Sequence, residues 1–459
     1  DILAFALGAA LDSSNSATSG RRTLYAGHRS LASAQAIATI AFHVPSRASV
    51  STTAALTCQL SAASLRSAPC TAQLSNNKMA YDAIPQQPTA ETQPPRKRLP
   101  FVDGSRGLAS LWIVCQHFLP HSSDGPLVKS LWRSNCAVDY FIVLSGFVTH
   151  WAARGKFSQS ANRWPDAKRW YGRRFGRVLL AVWLAMGVSA ILLYLGGNGD
   201  LDAMHLTLCA FLVEPWRSPN RWCPDGQSWT VAALAPSWLL YPVLYDPFLY
   251  ERRHLMVVAV VLAIVPSLIA LLFVSGGLRA GAYFNNSAHT ALYLWPPAQL
   301  ADFLLGCVSA ELAARSSREN TAWLADGAVF IITLAVLLVP NPHLDYREHG
   351  EVLYDHGLAP LFAVFLWAAA RDTAAASKAS KLFAHPALSS IGKCSFEVYL
   401  FQWPVHAVFY GLGLPTSDHA ENFVAFALTL YMLAALYEVH VERPYVRWLR
   451  ERFAAPPLR

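Results

Sequence analysis

Arg106-Gly-Leu-Ala-Ser-Leu-Trp-Ile-Val-Cys-Gln-His117 is the stretch from which the rest of the chain can be read. Its two ionisable ends stand eleven positions apart. On an α-helix that is about three turns and ~16 Å of rise, with the two side chains about 20° apart around the axis. They share one face, and everything between them is apolar, small, or a single Cys and Gln. Placing a cation at the mouth of an apolar helix and an imidazole deeper on the same face is costly in lipid, which makes both groups functional candidates. A plainer reading makes Arg106 a cytoplasmic anchor and leaves His117 at the far interface. Spacing alone does not choose between these readings.

Composition sets the class around this stretch. Of 459 residues 54% are hydrophobic and only 14% charged, with 15 Trp and 17 Tyr; soluble domains carry roughly 25% charged residues. Apolar runs occupy 101–119, 135–152, 176–196, 229–249, 255–276, 297–314, 322–340, 357–370, 388–411 and 423–441. Each is read as a helix crossing a bilayer core of ~30 Å. A further run, Ala203–Val213, is too short to span and reads as re-entrant, a type of segment that lines a cavity. The expected fold is all-α, a polytopic transmembrane bundle of about ten spanning helices plus the short re-entrant segment.

Charge orients the bundle. Arg96, Lys97 and Arg98 place the start of the membrane domain in the cytoplasm, and so does the basic connection Arg154–Arg177 after two spans. With the short run re-entrant, Arg252/Arg253, Arg315/Arg318, Lys378/Lys381 and the basic tail also fall inside, so both termini are cytoplasmic. The net charge of +8 therefore reads as loop charge against a lipid bilayer, with no nucleic acid as partner.

Residues 1–95 are a different material, rich in Ala, Ser and Thr, with scattered Arg and almost no acid between Asp12 and Asp82. They read as a targeting-like leader followed by a disordered Pro- and Gln-rich linker. Met79 is the first methionine, so the stretch reads equally as an extension upstream of a start there. Residues 96–459 form the membrane domain. The eight cysteines make no CxxC or Cys/His cluster, so no metal is expected. Small-hydrophobe packing is the expected role for most, and a Cys209–Cys223 disulfide across a short loop is possible in reach but not the expectation.

Two further sites carry chemistry. Asp139 opens the second span in the same extracytoplasmic half as His117. A carboxylate within reach would orient the imidazole and raise its basicity, whereas a helix N-terminal acid is the simpler alternative. Arg174 and Arg177 share a face of the third span at its cytoplasmic start. Paired guanidiniums suit phosphates, and topology-setting charge is the competing reading.

Together these stretches resemble the acyltransferase 3 family of membrane acyltransferases. Arg106 and His117 match its Arg-x10-His motif, Ala137–Phe147 (AVDYFIVLSGF) its GVDxFFVLSGF signature, and Arg174–Arg177 its RxxR. Ile391–Val405 resembles the late S-Y-x-x-Y-L-x-H-x-P element, and Val441–Tyr445 the terminal E-x-P-F. The resemblance covers about residues 101–450, with five motifs in order. It implies acyl transfer from cytoplasmic acyl-CoA, acetyl-CoA in the expected case, to a hydroxyl of a carbohydrate or lipid-linked acceptor at the far face. In that reading Arg106, Arg174 and Arg177 hold the donor phosphates, His117 is the general base and Asp139 orients it.

The chain also departs from the family pattern. Trp229–Leu234 lacks the Glu of the family's W-S-L-S-x-E, and Gln402 replaces the late His. No GxSxG elbow is present, and no esterase-like second domain is expected after the last span. A transporter, or an inactive scaffold that kept the fold, are the alternatives.

Overall fold

The computed structural model describes residues 99–120, 130–131, 133–197, 202–217, 222–264, 296–316, 320–338, 356–372, 376–417 and 419–454. The leader and linker, 1–95, lie outside the described residues. No strand occurs among the described residues. The helices are α1 Pro100–Phe118, α2 Asn135–Ala153, α3 Arg163–Leu195, α4 Ala203–Ala210, α5 Glu214–Arg217, α6 Ser228–Leu240 and α7 Asp246–Glu251. They continue as α8 Leu255–Ile264, α9 Pro296–Arg315, α10 Ala322–Leu338, α11 Ala359–Arg371, α12 Lys378–Phe383 and α13 Pro386–Lys393. The last are α14 Ser395–Gly411, α15 Ala420–Tyr437 and α16 Arg443–Arg452.

Helix α1 begins where sequence chemistry puts it. Leu99 is extended and Pro100 takes the first helical position, where its missing N–H costs nothing. Leu119 is extended again, as the residue before Pro120 tends to be. By length and composition α2, α3 and the continuous rod Ala420–Arg452 are able to cross a membrane, and α8, α10 and α11 are shorter apolar helices. Ten spans are thus more than these criteria give. The bundle exposes large apolar side chains and buries polar groups within an otherwise apolar core. Trp183, Ile191, Phe330, Leu428 and Met432 are exposed, while Asp139, His150, Asp302, Glu311 and Gln402 are buried.

Two close crossings set the packing. A Cβ on Gly146 of α2 would fall 1.9 Å from the Phe303 carbonyl oxygen of α9, and one on Gly306 of α9 would fall 1.9 Å from that of Val143. The helices touch backbone to backbone at reciprocal glycines, the close approach small residues permit in membranes. The Gly of the LSGF stretch is therefore a packing residue. The second crossing seats α12 and α13 on α1, where a Cβ on Gly104 would meet the Phe383 carbonyl and one on Gly392 the Asp103 carbonyl. The run expected as one span over 388–411 is thus two helices, broken at Cys394, with α13 applied to α1.

One end of the bundle is tied by buried carboxylates. Glu311 of α9 accepts from Arg154 Nε at 2.6 Å and Arg315 Nε at 2.5 Å, and meets His150 Nε2 at 2.7 Å. Asp246 accepts the backbone N–H groups of Gly155, Phe157 and Ser158 at 2.7, 2.9 and 3.1 Å. Gly155 turns the chain there at φ +71°, a conformation that suits glycine. Arg154, Arg252 and Arg315 thus lie at one end.

The short run at 203–213 folds as the eight-residue α4 and a turn. Cys209 and Cys223 form a disulfide, contrary to the expectation of simple packing. The partner cysteine sits 14 residues on, beyond a second short helix, and spacing does not reveal that α4 and α5 fold back.

Gly146→Ala is expected to destabilise the chain by about 1–3 kcal/mol, because the added methyl has only backbone to displace. Gly187→Ala, at a position with nothing within 4 Å, should be neutral or slightly stabilising. Thermal unfolding of the two variants in one detergent checks the contrast.

Candidate active site

Helix α1 carries Arg106 and His117 on one side, both half-buried. The ring of His117 lies against Trp403 and Phe118, with centroids 5.6 and 5.7 Å away. Its Nδ1 is 3.1 Å from Gln402 Oε1. Gln402 is fully buried on α14, and its Nε2 donates to the Tyr399 carbonyl at 2.8 Å. That bond fixes which way the amide faces, so the oxygen is the atom presented to His117. An amide oxygen only accepts, hence Nδ1 carries a proton, and in the neutral ring Nε2 is the basic nitrogen.

Gln402 was visible in the sequence only as a departure from the late His. Its place opposite His117, 285 positions away, is a property of the fold. Asp139, expected to orient His117, stands elsewhere. It accepts from the backbone N–H of His356 at 3.2 Å, and His356 Nδ1 meets Asp302 at 2.8 Å. The physical reason is helix rotation: α2 turns Asp139 toward α9 and the start of α11, while α14 presents Gln402 to α1. The side chain hydrogen-bonded to His117 Nδ1 is the Gln402 amide.

Asp139, Asp302 and His356 bring one ligand atom each within 4.8 Å and are all buried. Two carboxylates and an imidazole are a donor set suited to a divalent transition metal. His356 Nδ1 already faces Asp302, so the group also stands as a self-paired cluster.

The arginines converge lower on the bundle. Arg174 Nη2 donates to Ser145 Oγ at 3.2 Å, and its guanidinium lies 4.5 Å from the Trp238 ring centre. Trp238 Nε1 donates to the same Ser145 oxygen at 3.3 Å. Arg174 Nε is buried with no hydrogen-bond partner among the described residues. Arg177 Nε pairs with Glu442 of the terminal E-x-P stretch. Arg106, Arg174 and Arg177 lie within electrostatic reach of one another, with Glu397 beside Arg106. Three cations held near each other, one stacked and incompletely satisfied, form a ready site for a polyanion.

The sequence matches the family described as an acyltransferase domain over residues 99–438. It is 23% identical over 370 residues to a provisionally named O-acetyltransferase of Staphylococcus aureus (strain COL), covering 76% of this chain and 57% of that protein. A peptidoglycan O-acetyltransferase of Listeria monocytogenes serovar 1/2a (strain EGD-e) is 23% identical over 339 residues, 68% of this chain and 50% of its own. The chain thus spans about half the length of the curated relatives it matches. No solved structure matches.

The tautomer is open to direct observation. In ¹⁵N spectra of histidine-labelled protein, the signal lost in His117→Ala should belong to an Nδ1–H imidazole. Gln402→Leu should shift that signal toward the Nε2–H form or a mixture. An unchanged signal in Gln402→Leu would separate the amide from any control over the ring.

Proposed function

We propose that this chain, which belongs to the acyltransferase 3 family, is an O-acyltransferase like the relatives it resembles, with the following donor, acceptor and working residues. The donor is cytoplasmic acyl-CoA, with acetyl the group transferred. The acceptor is a hydroxyl of a carbohydrate or lipid-linked molecule at the opposite membrane face, consistent with a relative named for peptidoglycan. The observation that supports this most strongly is the His117–Gln402 pair on the helix that also carries Arg106. It supplies a neutral base, oriented and half-exposed, up the same helix from the cationic cluster.

Arg106, Arg174 and Arg177 hold the phosphates of the donor. His117 Nε2 takes the proton of the acceptor hydroxyl as that oxygen attacks the thioester carbonyl. The new C–O bond forms, the C–S bond breaks, and the thiolate leaves with the proton returned from the imidazolium. Gln402 positions His117 through Nδ1. Asp139 supports the wall opposite, through His356 and Asp302. Family membership favours an enzyme over a transporter, and the His117–Gln402 pair supports an active enzyme over an inactive scaffold, although Leu234 stands where the family has Glu.

The proposed topology has ten spans, the 203–213 segment re-entrant, and both termini cytoplasmic. Support comes from opposite ends. Arg154 and Arg315 share Glu311, and Arg315 Nη1 donates to the Arg252 carbonyl at 2.5 Å, so these basic groups face one side as the positive-inside bias requires. The Cys209–Cys223 disulfide suits an oxidising compartment on the other.

His117→Ala is expected to insert normally and lose roughly 10²–10⁴-fold in turnover. Arg174→Lys with Arg177→Lys keeps the charge but not the planar fork, so the apparent KM for acyl-CoA should rise with the maximal rate less affected. Acyl transfer in proteoliposomes, with topology checked on the same samples, measures both. Wild-type turnover in His117→Ala would overturn the mechanism.

A further inference from the structure

Three helices meet at one oxygen atom, the hydroxyl of Ser145 on α2. Arg174 Nη2 of α3 donates to it at 3.2 Å, and Trp238 Nε1 of α6 donates to it at 3.3 Å. Guanidinium and indole N–H groups donate and cannot accept. A hydroxyl oxygen has two acceptor positions, and at Ser145 both are taken. What it has left to give is its own proton.

That proton has no acceptor among the described residues. A helical serine can satisfy its hydroxyl on a carbonyl of the preceding turn. Ser316 does so with Leu312 at 2.7 Å, and Ser110 with Gly107 at 3.0 Å. Ser145 makes no such bond among the described residues. The two donors that crowd its oxygen turn the proton away from themselves, and the residue is partly exposed.

A second uncommitted donor stands beside it. Arg174 Nε is buried with no hydrogen-bond partner among the described residues, and its guanidinium is held over Trp238, 4.5 Å from the ring centre. Arg177, one turn further along α3, adds a second positive charge. Donors left unpaired in such a place are costly. Two of them beside two cations call for an anion with several acceptor oxygens, and a phosphate has them. On an acyl-CoA the phosphates are the only anionic groups.

We propose that Ser145 donates a hydrogen bond directly to a phosphate oxygen of the acyl donor, its hydroxyl held in place by Arg174 and Trp238. The identity of that phosphate rests on the acyl-CoA reading, whereas the phosphate site itself is tested separately. The full chain in nanodiscs, which leave both faces open, is titrated by calorimetry with three probes. These are acetyl-CoA, S-acetylpantetheine (the same thioester arm without phosphates) and inorganic pyrophosphate. The parent should hold acetyl-CoA more tightly than S-acetylpantetheine. Ser145→Ala should weaken acetyl-CoA roughly ten- to a hundredfold, the range for a hydrogen bond to a charged group, and leave S-acetylpantetheine unchanged. Ser145→Thr keeps the hydroxyl and should bind acetyl-CoA nearly as the parent does. In an Arg174→Ala background, Ser145→Ala should weaken acetyl-CoA further, because the serine makes its own bond to the ligand.

A parent that holds acetyl-CoA and S-acetylpantetheine equally would overturn the proposal. So would a Ser145→Ala variant that binds acetyl-CoA like the parent, or one that loses both probes alike, which marks a packing role. No further loss in the Arg174→Ala background would also overturn it, since Ser145 would then act only through the arginine. Pyrophosphate binding that depends on Ser145, with acetyl-CoA not bound, would keep the phosphate site and remove acyl-CoA as the donor. Acetyl transfer from acetyl-CoA that ignores Ser145→Ala would do the reverse.

Discussion

A single buried carboxylate, that of Glu311, fastens the basic end of the bundle. It reaches Arg154, Arg315 and His150 at once. Arg315 passes the connection on to the carbonyls of Leu249, Tyr250 and Arg252 at 2.8, 2.6 and 2.5 Å. A charge with no access to water is tolerable only when paired and hydrogen-bonded. Removing one partner would leave the rest uncompensated. The constraint therefore fixes α2, α7 and α9 together, and α2 carries Ser145, on which Arg174 and Trp238 both depend.

Buried polar atoms without a hydrogen-bond partner among the described residues are spread through the bundle, at Ser189, Ser237 and Thr416 as well as at Arg174 Nε among the cations. On the helix that also carries Arg106, His117 faces an amide that has no charge of its own. The amide orients the ring through Nδ1, and a general base acts from the neutral form.

Much of the fold was legible because bilayer helices announce themselves by length. The runs at 135–152 and 322–340 agree closely with α2 and α10. Arg106 with His117 and Arg174 with Arg177 share a helix face by spacing, which is a local property, but their proposed roles came only from the family resemblance. Helix pairing is not local, and every revision concerns a pair. Gln402 opposite His117, Asp139 beside His356, and Cys209 bonded to Cys223 all join residues whose proximity no periodicity encodes. The break at Cys394 escaped for a related reason. Gly392 must sit against the Asp103 carbonyl, and that demand comes from α1, outside the run itself. Glu311 looked like one acid in an apolar stretch, and only its three partners give it meaning.

The central claim is that donor and acceptor meet at His117 from opposite membrane faces. Sealed proteoliposomes with a single protein orientation test it most directly, with labelled acetyl-CoA supplied on one side and the sugar acceptor on the other. Acetylated acceptor should appear only when acetyl-CoA is on the face bearing Arg154 and Arg315 and the acceptor is on the face bearing the disulfide. Equal product with both substrates confined to one face, or with the two faces exchanged, would contradict the account.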